Sequence, residues 1–309
     1  MLASLQVIVP LFLLIGLGYL ARRMVLTSEG LIGLNQLVYF FALPAMLFDA
    51  ARRQPIDKLV DLPYIGAFLL AVALVVLVTV LGSRWLLGRR QGEELVLHGL
   101  NAMFANYAYM GIPLISGVIG EAAYGPMLAI ILTGNLLICG GQVIMEALRS
   151  DSLGWRAISG ILQRSLLQSP LFLSLVGGIL VAAWQLPMPS LVAGTLELLA
   201  PAAVPVALFC LGASLQWRET PIAKLELGWL LLMKLLIHPL LTYGVMVIFG
   251  ITDPDRLLVA VLLTALPTGA LVHVVAMRYQ HYVRETAMVV MVSTLLSMVS
   301  VSLWIDLMI

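Results

Sequence analysis

The chain has 309 residues, 61% of them hydrophobic and 11% charged, with a net charge of +1. Soluble domains carry about a quarter charged residues, so a chain this apolar cannot cover a water-facing surface, and its near-neutral charge offers no nucleic-acid signal. The two cysteines, Cys139 and Cys210, lie in apolar runs, and they and the four histidines are scattered without ligand spacing; neither a disulfide framework, a metal site nor a cofactor is expected.

A membrane-crossing helix needs about 20 mainly apolar residues. Taken in chain order, such stretches lie near 5–21, 34–51, 62–82, 95–118, 123–146, 166–185, 191–215, 226–249, 256–279 and 286–308. The first begins almost at Met1 with neither a basic leader nor a small-residue cleavage site, so it reads as a span and not as a signal peptide. Connections are short, and the longest polar stretch runs from Arg149 to Arg164. Numbered from the N-terminus, the odd connections hold 12 Lys and Arg residues, among them Arg89, Arg149 and Arg218, whereas the even ones hold Arg52, Arg53, Lys58 and Arg256. Basic residues stay on the cytoplasmic side, which predicts cytoplasmic odd connections and two external termini in a multi-pass membrane protein.

The two halves echo each other. Pro10-Leu11-Phe12-Leu13 recurs as Pro170-Leu171-Phe172-Leu173, and Gly18 as Gly178, at a shift of 160. Pro44 to Phe48 echoes Pro205 to Phe209, and Met127 and Thr133 recur as Met288 and Thr294, at a shift of 161. Five spans per half is an odd number, so the second half must enter the membrane upside down. The expected architecture is all-α, ten transmembrane helices in two inverted repeats, residues 1–148 and 165–309, joined by a cytoplasmic connection over 149–164. Many secondary transporters follow this plan and bind at the midplane where helices break.

Suitable breaks lie in the fourth span of each half. In the first, Asn106, Tyr107, Met110, Gly111 and Pro113 follow one another near the middle, and Pro113 cannot donate to the carbonyl of Tyr109. In the second, Pro267, Thr268 and Gly269 lie at the middle, and Pro267 frees the carbonyl of Leu263. A break creates a helix N-terminus, which favours anions; the amides near Met110 to Ile112 and Thr268 to Ala270 are expected to face one cavity. Asn106 either bonds another helix or meets substrate. Lys234, His238 and Thr242 share one face of the eighth span. Lys234 could snorkel to the interface, couple protons through His238 or hold two helices together, but pairing with an anionic substrate is the reading adopted, because a positive charge near two helix N-termini adds to the same field. His273 reads equally as a core histidine or a proton carrier.

The run Asn106-Tyr-Ala-Tyr-Met110-Gly111-Ile112-Pro113-Leu114 resembles the broken-helix motif of the auxin efflux carrier family, which includes bacterial permeases linked to malonate and malate. Asn35 to Phe48, Leu208 to Leu215 and Ala265 to Gly269 resemble the same family, and the likeness covers essentially the whole chain. It implies a fold related to bile-acid sodium symporters, with the fourth and ninth spans crossing in a transport domain. It also implies a scaffold of the first, second, sixth and seventh spans, often dimeric, and elevator-like movement. It places Asn106 on a substrate carboxylate, with Pro267 at the opposed break. The short connection between the fifth and sixth spans departs from plant members, so their loop-based regulation is not implied. The third span has no charged residue after Asp61 and so lacks an acidic ion site.

The function expected is secondary active or potential-driven transport of a small carboxylate such as malonate, malate or an auxin-like acid. The alternative is a channel or membrane sensor on the same scaffold, although no connection is long enough for an output domain. No paired nucleophile and base speaks for an enzyme.

Overall fold

A backbone in hydrocarbon must satisfy its own hydrogen bonds, and a helix does so within a single segment. The computed structural model describes residues 2–55, 59, 61–149, 155–215 and 222–309, and it is all-helical there, with no strand. The helices are α1 (Leu2–Met24), α2 (Ser28–Arg52), α3 (Leu62–Trp85), α4 (Gly92–Met103), α5 (Tyr107–Val118), α6 (Tyr124–Arg149), α7 (Trp155–Leu162), α8 (Pro170–Ala183), α9 (Ser190–Ser214), α10 (Lys224–Ile248), α11 (Pro254–Ala265), α12 (Ala270–Tyr279) and α13 (Val283–Met308). Of these, α2, α3, α6, α9, α10 and α13 are long and apolar enough to cross a membrane, while α5, α8 and α12 are apolar but shorter. Each of the ten apolar stretches is occupied by helix. Lys58, Arg218 and residues 150–154 of the expected connection lie outside the described residues.

Helix starts follow side-chain chemistry. Thr27 caps α2 by accepting from the Gly30 amide at 3.0 Å. Ser169 caps α8 through the Phe172 amide at 3.3 Å, and Asp253 caps α11 through the Arg256 amide at 2.9 Å. Each of the latter two helices opens on proline, whose missing amide costs nothing there. Starting at Pro170, α8 has 14 residues, about 21 Å at 1.5 Å per residue.

Three prolines inside spans are absorbed by a widened turn, whereas Pro10, Pro201 and Pro205 lie in uninterrupted α-helix. Turns of π-helix cover Val38–Ala42, Tyr107–Gly111, Gln163–Leu167 and Met233–Ile237, and in three of them a proline follows two residues after the end, at Pro44, Pro113 and Pro239. Proline removes one amide from the ladder. The amides of Leu43 and His238 reach back five residues, to Val38 and Met233, so the chain widens by one residue and continues. The Leu235 carbonyl, which Pro239 cannot serve, accepts from the Trp304 indole at 3.2 Å.

The chain divides into two compact units. Unit 1 comprises Met1–Asp61, Ala108–Leu132 and Leu167–Gln216, and so holds α1, α2, α8 and α9. Glycines let its helices touch backbone to backbone. A Cβ on Gly18 would collide with the Phe209 carbonyl, one on Gly212 with the Ile15 carbonyl, and one on Gly178 would lie 2.6 Å from the Phe48 carbonyl. Unit 2 comprises Leu62–Tyr107, Thr133–Leu166 and Trp217–Ile309. In it α3 packs on α4 and α10, and α11 on α10 and α13. The Trp229 ring fills the space left by Gly82, and its indole donates to the Thr79 carbonyl at 3.4 Å.

Candidate functional site

Two helices in unit 2 stop short and meet. The fourth span breaks after α4 at Phe104–Asn106, and the ninth breaks after α11 at Leu266–Gly269. Phe104 and Leu266 are extended at these ends. The breaks pair as an antiparallel bridge between Ala105 and Thr268. The Asn106 amide donates to the Pro267 carbonyl at 2.9 Å, and the Gly269 amide to the Phe104 carbonyl at 3.0 Å. Each break thus supplies the partner that the other's lost helix bonds require.

The first break lies upstream of its expected place. Gly111 and Pro113 do not interrupt the helix, because the π-turn Tyr107–Gly111 carries it into Ile112–Val118 with Pro113 in the first α-helical turn. Two of the amides expected to be open, those of Thr268 and Gly269, are spent. The amides of Asn106 and Gly269 hold the bridge, that of Thr268 donates to Ser293 Oγ at 3.1 Å, and that of Tyr107 bonds the Ala105 carbonyl at 2.8 Å.

Side chains complete the crossover. Asn106 is 5% exposed. Thr268 is fully buried and its hydroxyl donates to the Asn101 carbonyl at 2.8 Å. The Tyr107 ring packs edge-on against Phe104, with centroids 5.4 Å apart, in space left by Gly134. Gly269 is required by close approach: an added Cβ would lie 2.7 Å from the Phe104 ring and 2.8 Å from the Ala105 carbonyl. Gly269→Ala should therefore part the bridge, costing about 1–3 kcal/mol as overpacking does; a melting temperature of the purified variant equal to wild type would show that the crossover yields freely.

Behind the crossover, Lys234 and His238 on α10 are fully buried. The Lys234 ammonium donates to the Thr264 carbonyl at 3.1 Å and stands 3.3 Å from His238 Nδ1. Thr264 lies in the last turn of α11, whose carbonyls have no helical partner beyond the break. Through that hydrogen bond this lysine serves the end of the broken helix. A completely buried ammonium is not snorkelling. Its position matches the task of holding two helices together. The crossover brings Asn106 and Tyr107 to Pro267, Thr268 and Gly269, with Lys234 and His238 behind α11. Met110, Gly111 and Pro113 are buried but fall in the stretch belonging to unit 1, and His273 lies half-buried on α12.

With the crossover described, likeness to known proteins becomes informative. A family profile described as a membrane transport protein matches residues 3–153 and 149–305. The chain belongs to the auxin efflux carrier family of membrane transport proteins. Among its relatives, one from Rhizobium meliloti (strain 1021), described as a "Putative malonate transporter", is 29% identical over 96% of this chain and 92% of its own. An "Uncharacterized transporter" of Methanothermobacter thermautotrophicus is 28% identical over 97% of each chain. Family membership and the apolar helices together make this a multi-pass membrane transport protein.

One group of side chains in unit 2 was not among the expected site residues. Glu94, His98 and Glu226 are buried with donor atoms within 4.8 Å of one another, close enough for a cation. The Arg89 guanidinium occupies that role itself, 3.0 Å from Glu94 and 2.5 Å from Glu226. The spacing of Glu94 and His98, four residues apart on one helix face, is the signal that could have found it.

Proposed function

We propose that the protein carries a small organic anion, a mono- or dicarboxylate of the malonate class, across a bacterial inner membrane as a secondary active or potential-driven transporter. The observation that carries this reading is the bridge between Ala105 and Thr268, where the breaks of the fourth and ninth spans pair within unit 2. Broken helices meeting in the membrane are the usual binding place of secondary transporters. The N-terminus of α12 at Ala270 lends positive potential there, and Asn106 supplies an amide that can donate to a carboxylate. The malonate class comes from the described relative.

The ten-helix inverted repeat belongs to the same reading. In the repeat, Gly18 corresponds to Gly178 and Phe209 to Phe48. The contact of Gly18 with the Phe209 carbonyl and that of Gly178 with the Phe48 carbonyl are therefore the same contact with the halves exchanged, as two related repeats require. An elevator-like mechanism with α1, α2, α8 and α9 as the scaffold is part of the same reading; these four helices fall in unit 1 together with Ala108–Leu132. External termini follow from the basic-residue asymmetry.

The test is ligand-induced stabilisation of the purified protein by a panel of mono- and dicarboxylates. A ligand at 100 times its Kd stabilises the folded state by about 2.7 kcal/mol. Malonate or a close analogue should raise the melting temperature where chloride and neutral amides of the same acids do not. A panel without one stabilising carboxylate would defeat the reading.

A further inference from the structure

The network around His98 holds more negative than positive charge. Glu226, 2% exposed, accepts from Arg89 at 2.5 Å and from the Tyr282 hydroxyl at 2.6 Å, and its Oε1 stands 3.0 Å from His98 Nε2. Glu94, one turn before His98 on α4, takes the other edge of Arg89 at 3.0 Å. Ser83 of α3 places its hydroxyl 2.8 Å from His98 Nδ1. The charged and titratable groups facing the imidazole are thus Arg89 from the connection before α4, Glu94 from its own helix, Glu226 from α10 and Tyr282 from the turn before α13, with Glu285 behind Tyr282. Two buried carboxylates meet one guanidinium, and Tyr282 and Ser83 are neutral. With a neutral imidazole the four-residue group of Arg89, Glu94, His98 and Glu226 carries one uncompensated negative charge; with an imidazolium it carries none. Buried charge without a partner is costly.

We propose that this network is a proton-binding site, in which His98 takes the proton and Glu94 and Glu226 hold it. The neutral imidazole carries its proton on Nε2, 3.0 Å from Glu226 Oε1, and accepts the Ser83 hydroxyl proton at Nδ1. On taking up a proton from water, Nδ1 becomes a donor and the Ser83 hydroxyl rotates to accept. No protein hydrogen bond is lost, and the network moves from one negative charge to neutrality. Arg89, whose side chain is 36% exposed, joins the buried carboxylates to the aqueous side. Tyr282 is held at φ +54°, a left-handed conformation unusual for a side chain of this size, while its hydroxyl bonds Glu226. The turn into α13 is thereby tied to the charge state of the site. A role for the proton in driving transport rests on the carrier reading; the existence of the site does not.

The experiment uses the purified full-length protein without substrate. Its melting temperature is followed from about pH 5.5 to about pH 8.5, the range in which histidine changes charge, for the wild type, His98→Gln and Glu94→Gln. Gln can donate to Glu226 and accept from Ser83 but takes no proton. Glu94→Gln removes the excess charge and leaves the imidazole. A proton held by the folded state stabilises at low pH and is lost as pH rises. The melting temperature of the wild type relative to either variant should therefore fall by several degrees across the range. A constant difference for both variants would overturn the proposal. If His98→Gln does not fold, Glu94→Gln decides alone. Carboxylates that fail to stabilise the wild type would sink the carrier reading and leave this result standing.

Discussion

If the protein carries a carboxylate as proposed, Asn106→Ala should lower affinity for it roughly ten- to a hundred-fold while leaving the protein folded. The backbone of Asn106 is held through its amide, which donates to the Pro267 carbonyl at 2.9 Å. Alanine keeps that bond, so the bridge between the two breaks survives the substitution. What disappears is a carboxamide, 5% exposed, at the point where the fourth span stops being helical. A hydrogen bond to a charged group contributes about 1.5–3 kcal/mol, and each 1.4 kcal/mol is a factor of ten in Kd. Calorimetric titration of the purified variant with malonate measures this directly, with its melting temperature as the control for folding. Affinity equal to wild type would remove Asn106 from the site.

Lys234→Met has the second large effect, and the structure changes what is expected of it. Methionine fills a similar volume without the charge and is flexible enough to pack there. It leaves the Thr264 carbonyl without the ammonium that now serves it at 3.1 Å. An orphaned buried acceptor costs about 1–3 kcal/mol, and the loss falls on the end of α11 that leads into the crossover. The variant should fold, melt at lower temperature and transport poorly. His238→Gln keeps the lysine on Thr264 and should lose less stability. If Lys234 instead paired with the substrate, Lys234→Met would weaken carboxylate binding without lowering the melting temperature. That outcome would reassign the residue.

Much of this architecture was legible in the residues because apolar length is a local property. Helix occupies all ten apolar stretches, interrupted in mid-span within the fourth and ninth, and Pro267 marks its break within two residues, since a proline and the extended residue before it act on their own neighbourhood. The opposite break was misplaced for the same reason. Gly111 and Pro113 carry the local signs of interruption, but a π-turn absorbs the missing amide. Phe104-Ala105-Asn106 carries no such sign, because its extended form depends on hydrogen bonds to residues more than 160 positions away. Lys234 could be recognised as costly from its depth alone, but the carbonyl it serves belongs to another helix. The network of Arg89, Glu94, His98 and Glu226 was missed because Arg89 and Glu226 lie 137 positions apart and only folding draws them onto one buried histidine.

Uptake by proteoliposomes containing only the purified protein tests the central claim most directly. Labelled malonate and a panel of other mono- and dicarboxylates would be offered with an imposed membrane potential or pH gradient. Wild-type vesicles should accumulate at least one carboxylate above protein-free vesicles, saturably and in competition with unlabelled acid, and Asn106→Ala vesicles should require roughly ten- to a hundred-fold more substrate for the same rate. Wild-type vesicles that accumulate no carboxylate under either gradient, from protein shown to be folded, would contradict the account.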